Sequence, residues 1–339
     1  MAATKVLVVD DSLTMRALIS RALDGIPGVD VVGAADGAAE ARVEVARLKP
    51  DVMTLDIEMP GMSGIEYLAE IMSTKPMPVI MFSTLTEAGA SASVEALRLG
   101  AVDCFPKPKV ATQGEFDVIL AKLGKCIRTA KAGAQRQIKV DTTPPVAGFD
   151  WNGRMLAIGA DASATQSLFG MLGALPENCP PTVIVSHVRR DLVDSIVDKM
   201  KETAKPKVVK AEDGMALEQG TVYFAGPGDA HVVLDKWPDG RLRFMPRDPI
   251  VGERPSISLL FASFAKATAA ETIGVLLTAG GEDGQAGIKA ILAAGGHIVG
   301  PSAPGADGTS TGFTLYKGMA SQPVEGGDVL GTALKLCSK

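Results

Sequence analysis

Five polar residues stand at the ends of short apolar runs in the first third of the chain. Asp10 and Asp11 follow KVLVV, Asp56 closes DVMTLD, Ser83 closes PVIMFS, and Lys107 follows AVDCFP. If these runs are neighbouring strands of one parallel sheet, their carboxyl ends bring the five side chains to a single edge. Three crowded carboxylates repel one another, and a hard divalent cation such as Mg²⁺ is the usual remedy. A hydroxyl and an ammonium at the same edge suit a phosphoryl group. Ser83 would donate to one oxygen, while Lys107 and the metal would neutralise charge. A carboxylate there can act as a nucleophile and form an aspartyl phosphate. Taken singly the residues are ordinary, since an Asp after a strand most often caps the next helix. Their joint spacing is what points to phosphoryl chemistry.

The elements that would position these residues alternate along the chain. Apolar runs at 5–10, 29–35, 51–56 and 78–83 predict strands, and a short one at 101–108 closes the set. Helical period covers 12–23, an Ala-rich stretch ending near Leu48, 64–72 and 91–100. Strands alternating with helices imply a parallel sheet covered on both faces. The alternation resumes with candidate strands at 154–160, 181–187, 207–213, 221–227, 274–280 and 296–301, and helical stretches at 192–203, 256–268 and 283–294. The segment between is polar and basic, carries no sustained apolar stripe and ends in Pro144 and Pro145, the composition of a linker. The expected architecture is α/β: two doubly wound parallel-sheet domains at 1–125 and 151–339, with a linker at 126–150.

Composition narrows the function classes. A length of 339 residues suits two domains. With 46% hydrophobic and 22% charged residues, the chain is neither fibrous nor mostly disordered. Lys and Arg number 34 against 39 Asp and Glu, and the resulting net charge of −5 argues against nucleic-acid binding. No apolar run approaches a membrane span, and the N-terminus lacks the apolar core of a signal peptide. The four cysteines, Cys104, Cys126, Cys179 and Cys337, have no metal-ligand spacing and read as reduced cytosolic thiols. A cytoplasmic protein without membrane insertion is expected.

The words VVDDS, LDIEMPGMSG, MFSTLT and GAVDCFPKP, in this order and spacing, resemble the receiver domain of two-component response regulators. The resemblance covers residues 4 to about 123 and implies a flavodoxin-like fold. It makes Asp56 the phosphoacceptor. It implies that Asp11 and Asp56, with the backbone carbonyl of Glu58, ligate Mg²⁺, and that Asp10 joins the same acidic pocket. Ser83 and Lys107 would sense the phosphoryl group. A histidine kinase is the implied phosphodonor. One departure is Cys104, at the switch position where receivers usually carry an aromatic residue.

The second half resembles the catalytic domain of the chemotaxis protein-glutamate methylesterase family, CheB. LAIGA, TVIVSH, AEDGMALEQGTVYFAGPGDAHVVLD, RPSISLLFASFA and GVLLTAGGEDGQAGIKAILAAGG carry the likeness, as does the order receiver, linker, effector. Such enzymes remove methyl esters from chemoreceptor glutamates, and most also deamidate glutamines, through a Ser-His-Asp triad. A triad needs a hydroxyl nucleophile, an imidazole base and a carboxylate that orients the base. His187 matches the family histidine and Asp283 the orienting carboxylate. The nucleophile position after LAIGA holds Asp161, where the family has Ser. Ser163 lies two residues on, about 3 Å of rise and about 200° of rotation away if helical, so its hydroxyl is expected to face elsewhere. Asp161 by itself is a good helix N-cap. VRRDL at 188–192, Thr278-Ala279-Gly280-Gly281 and a Gly- and Ser-rich stretch at 300–320 also depart from the family's surface around the chemistry. His231 is expected to be structural or groove-lining rather than catalytic.

Two functions follow from different classes. One is a phosphorylation-regulated chemotaxis response regulator whose esterase-like domain is silent, needs no cofactor and acts by binding or by competing for phosphoryl groups. The other is an active receptor methylesterase and glutamine deamidase with a displaced nucleophile; a carboxylate mechanism on Asp161 is a weaker third. A chemoreceptor cytoplasmic domain is the further implied partner.

Overall fold

The computed structural model describes residues 3–83, 86–107, 122–124, 126–128, 130, 148–277, 282–302, 313–317, 320–324 and 328–339. The chain divides into two compact units, Met1–Gln137 and Ile138–Lys339. Most of the expected linker, at 131–147, lies outside the described residues.

β-branched and apolar runs form the five strands of the first unit: β1 (Thr4–Val9), β2 (Val29–Ala35), β3 (Val52–Asp56), β4 (Val79–Ser83) and β5 (Asp103–Pro106). They pair in the order β2-β1-β3-β4-β5, and every pairing is parallel. Helices α1 (Leu13–Asp24), α2 (Ala38–Leu48), α3 (Gly64–Thr74) and α4 (Glu87–Leu99) make the crossovers. Every residue of β3 is buried, as a central strand covered on both faces requires. Val6, Val8, Val52, Ile80 and Phe82 pack with Ile19 and Leu23 of α1 in one core cluster. Winding reverses between β1 and β3, and a crevice opens at the carboxyl ends of strands at such a switch point.

The second unit is built on an eight-stranded sheet, in the order β15-β14-β13-β12-β6-β7-β9-β8. The central strands are β6 (Met155–Asp161), β7 (Thr182–His187) and β12 (Thr272–Leu277), flanked by β8 (Lys207–Lys210), β9 (Thr221–Ala225) and β13 (His297–Pro301). These six are parallel, as the alternating pattern implied. Two further strands, β14 (Phe313–Lys317) and β15 (Ala320–Pro323), add an antiparallel edge. A separate antiparallel ribbon joins β10 (His231–Leu234) to β11 (Leu242–Met245). The helices are α5 (Thr165–Ala174), α6 (Val193–Thr203), α7 (Ile257–Thr268), α8 (Gln285–Ala293) and α9 (Val329–Cys337). Leu260, Phe261 and Phe264 of α7 enter the main core with Val183, Val185 and Leu276 of the sheet.

The turn that carries Asp56 is unusually tight. Gly64 donates its N–H to Ile57 O at 2.9 Å, and a Cβ built on Gly64 would sit 1.8 Å from the Asp56 carbonyl oxygen. Ser63 caps α3 reciprocally with Glu66, which fixes where the helix starts. Only glycine fits between this helix start and the end of β3. Gly64→Ala should therefore lower first-unit stability by about 1–3 kcal/mol, the usual cost of forced overpacking. Thermal unfolding measures this directly, and an unchanged midpoint would contradict it.

Candidate functional site

Asp10 follows β1 directly and is fully buried, Asp11 is exposed, and Asp56 closes β3 at 1% exposure. One oxygen from each of the three lies within 4.8 Å of the others. Lys107, one residue past β5, places Nζ 2.7 Å from Asp56 Oδ2 and 3.3 Å from Asp10 Oδ2. The parallel register thus brings together four of the residues the sequence singled out. The fifth, Ser83, ends β4 opposite Pro106 of β5; its side chain lies outside the described residues. Cys104 is buried in β5 and donates Sγ–H to Ser93 O at 3.4 Å.

Backbone amides hold the two buried carboxylates in place. Ser12 N–H donates to Asp10 Oδ1 at 2.9 Å, and Glu58 N–H donates to Asp56 Oδ1 at 3.2 Å. Arg16, which the spacing argument passed over, donates from one guanidinium nitrogen to Asp10 O at 2.7 Å and Asp11 O at 3.0 Å. That clamp fixes the β1–α1 turn. Asp10 Oδ2 and Asp56 Oδ2 are buried without a well-directed hydrogen bond among the described residues. The ammonium of Lys107 faces both. Two such oxygens, with Asp11 beside them, fit a hard divalent cation.

Burial pushes the Asp56 carboxyl up to about 6; Lys107 opposes the rise and Asp10 adds to it. For Lys107, burial works against the charge, but Asp56 and Asp10 outweigh it and raise the pKa. The native state therefore holds a proton on Asp56 more tightly than the unfolded chain does. Stability from this group is full below the unfolded value of 3.8 and is lost as pH rises to about 6. The ionised form at neutral pH costs roughly 2–3 kcal/mol. Asp56→Asn should thus be more stable than wild type at pH 7.5 without divalent cations, and the gap should close by pH 4. Denaturant unfolding at the two pH values measures it; a gap that widens toward pH 4 would reverse the sign.

The second candidate site lies where β6 and β7 end. Asp161 and His187 are direct register partners on these adjacent strands. Ser163 sits in a short 3-10 turn at Ala162–Ala164 and donates its hydroxyl to Asp161 Oδ1 at 2.5 Å. Asp283 lies at the N-terminus of α7 and accepts four hydrogen bonds. Three, from Ser256 Oγ, Ser258 N and Gly284 N, reach Oδ1 at 2.8, 2.9 and 2.9 Å, and one from Ile257 N reaches Oδ2 at 2.6 Å. Unpaired helix N–H groups and the helix dipole both favour a carboxylate there. Asp283 Oδ2 is 3.5 Å from His187 Nε2.

His187 Nε2 is also 3.1 Å from Pro255 O. A carbonyl only accepts, so this nitrogen carries hydrogen. The other ring nitrogen, Nδ1, faces Glu253 Oε2 at 3.8 Å. Glu253 was not legible as a site residue, because it comes from a loop with no motif of its own. His231 is structural, as expected. It is fully buried, accepts from Ser256 N–H at 3.0 Å on Nδ1 and donates from Nε2 to Asp248 O at 2.9 Å. Of the departures from the family wording, 188–192 forms the short turn into α6, where Arg190 pairs with Asp229 in solvent. Thr278 to Gly281 and 303–312 lie outside the described residues.

Comparison with known proteins now decides the family. A model for the response regulator receiver domain matches residues 6–114, and one for the CheB methylesterase matches residues 156–306. A protein-glutamate methylesterase/protein-glutamine glutaminase of Rhizobium johnstonii is 40% identical over 299 residues, spanning 88% of this chain and 86% of that protein. One from Caulobacter vibrioides is 42% identical over 307 residues, spanning 88% of each. This chain belongs to the CheB family. It is a chemotaxis response regulator in which a receiver domain precedes a methylesterase domain. The crystal structure of the Thermotoga maritima CheB methylesterase catalytic domain is 30% identical, covering 43% of this chain and 78% of that one at a TM-score of 0.41. No helix among the described residues is long and apolar enough to cross a membrane.

Proposed function

We propose that this CheB-family protein is a phosphorylation-regulated binding protein of a cytoplasmic chemosensory pathway, and that its methylesterase domain does not hydrolyse esters. Asp56 is the phosphoacceptor. One of its oxygens forms the bond to phosphorus as the donor's nitrogen–phosphorus bond breaks, and the departing kinase imidazole takes up a proton. Asp10, Asp11, Asp56 and the Glu58 carbonyl would hold Mg²⁺, which would supply charge neutralisation for the incoming phosphoryl oxygens. Lys107 exchanges its ion pair with the carboxylates for one with the phosphoryl group, and Ser83 donates to another oxygen. The donor is a histidine kinase, and the partner of the second domain is the chemoreceptor cytoplasmic domain.

The observation that carries the silent reading is Asp161 beside His187 in the strand register. Serine-type ester cleavage moves a hydroxyl proton to the imidazole as the oxygen attacks. A carboxylate at that position has no proton to give. The nearby hydroxyl of Ser163 directs its hydrogen to Asp161, and the His187 nitrogen without a carbonyl partner is turned toward Glu253. The second reading, an active methylesterase and glutamine deamidase, draws on the names of the 40%-identical relatives and on the proximity of Ser163 to a carboxylate.

Methanol release from methylated receptor membranes separates the two. Wild type should stay at background whether or not Asp56 is phosphorylated with a small phosphodonor and Mg²⁺, and Asp56→Asn should abolish labelling. Asp161→Ser places an alcohol beside His187 with Asp283 already seated, so slow cleavage of a small activated ester is expected. Robust wild-type release that Ser163→Ala abolishes would establish the active reading instead.

A further inference from the structure

Arg16 stands on α1 close behind the acidic cluster, yet among the described residues its guanidinium has no carboxylate partner. One terminal nitrogen, Nη1, donates instead to two backbone carbonyls, Asp10 O at 2.7 Å and Asp11 O at 3.0 Å. Arginine ordinarily seeks carboxylate oxygens. Those of Asp10 and Asp56 are already faced by Lys107. Arg16 grips the main chain.

The two gripped carbonyls are those on either side of the Asp11 Cα. A peptide unit is planar, so each residue turns only about φ and ψ. Asp10 O lies in the plane before the Asp11 Cα, and Asp11 O lies in the plane after it. Holding both oxygens from one nitrogen fixes the planes against each other, and with them the direction in which the Asp11 side chain leaves the backbone. Asp10 is secured by other means. Its side chain is buried, its N–H donates to Ala35 O at 3.2 Å, and its Oδ1 accepts from Ser12 N–H at 2.9 Å. Asp11 is exposed, so packing does not hold it. The clamp itself is well anchored. Arg16 N–H donates to Ser12 O at 2.9 Å, and Ile19 and Leu23 of the same helix are buried in the core.

We propose that Arg16 is a positioning residue for the divalent cation, raising Mg²⁺ affinity by fixing where Asp11 points although its own charge opposes the cation. This rests on the reading above that Asp10, Asp11 and Asp56 hold Mg²⁺. The two effects of Arg16 have opposite signs. Coulomb repulsion alone would make the cation bind more tightly once a neighbouring positive charge is removed. Orientation makes it bind more weakly, because a group that holds a metal ligand in place typically contributes about 10–100-fold in affinity. Solvent decides between them. The bond from Arg16 to Asp11 O lies at an exposed position. Water and salt screen the charge there, but they do not screen a fixed backbone geometry.

The test titrates Mg²⁺ into the full-length protein by calorimetry, and follows melting of the first unit without divalent cations alongside. Arg16→Met removes the charge and the donors together, and should raise the Mg²⁺ Kd about tenfold. Arg16→Lys keeps a charge and one donor nitrogen, and should regain most of the affinity. An unchanged Kd with a lower melting temperature would make the clamp merely structural and overturn the inference. A lower Kd would show that the charge dominates and overturn it as well. Should Arg16→Met fail to fold, Arg16→Gln also removes the charge, and the same outcomes decide. In Asp11→Ala the side chain that Arg16 positions is gone, so adding Arg16→Met should cost less than about twofold more. A further tenfold loss in that background would overturn the route through Asp11. Wild-type protein that binds no Mg²⁺ would overturn both this inference and the proposed cation site.

Discussion

An almost wholly buried carboxylate beside a second buried carboxylate is an expensive arrangement, and the ammonium of Lys107 makes it tolerable. Asp56 and Asp10 lie at the switch point of the first sheet because β1 and β3 are adjacent and end together. The same packing that buries the strands desolvates the charges at their ends. Lys107 reaches both carboxylates from one residue past β5. The site is therefore held in tension, with burial favouring the protonated acid and the lysine favouring the anion that chemistry requires.

The second unit reuses the device of side chains at parallel strand ends but resolves its charge differently. Asp283 has no need of a cation, because three donors at the start of α7 and the Gly284 amide surround it. His187 is held through Nε2 by the Pro255 carbonyl, with Glu253 3.8 Å from Nδ1. What differs from a hydrolytic triad is the group at the end of β6. The fold sets position 161 beside the imidazole through the β6–β7 register.

Much of this was legible in the sequence for a simple reason. Where a buried parallel strand ends, an apolar run stops abruptly at a polar residue, so Asp10, Asp56, Asp161 and His187 announce themselves. The parallel strands were readable from continuous apolar runs. β10, β11, β14 and β15 were not, since four or five residues in Gly- and Pro-rich surroundings carry little periodic signal. Arg16 and Glu253 escaped for another reason. Arg16 acts through backbone carbonyls, which have no residue signature. Glu253 meets His187 only because a hairpin folds back over a strand end far away in the chain. Asp161 was visible as a substitution, but the hydrogen bond it receives from Ser163 was not.

The seating of Asp283 has a consequence for genetics. This aspartate both faces an imidazole and accepts the first N–H groups of a buried helix, so a folded domain needs it whether or not the site turns over. Its presence in a chain of this family is no vote for enzymatic activity, and a null phenotype from its loss confounds protein abundance with chemistry. Asp161, by contrast, accepts its hydrogen bond from the Ser163 hydroxyl in the turn that follows β6. Activity in this family is therefore better judged from the residue at the end of β6 than from the carboxylate at the start of α7.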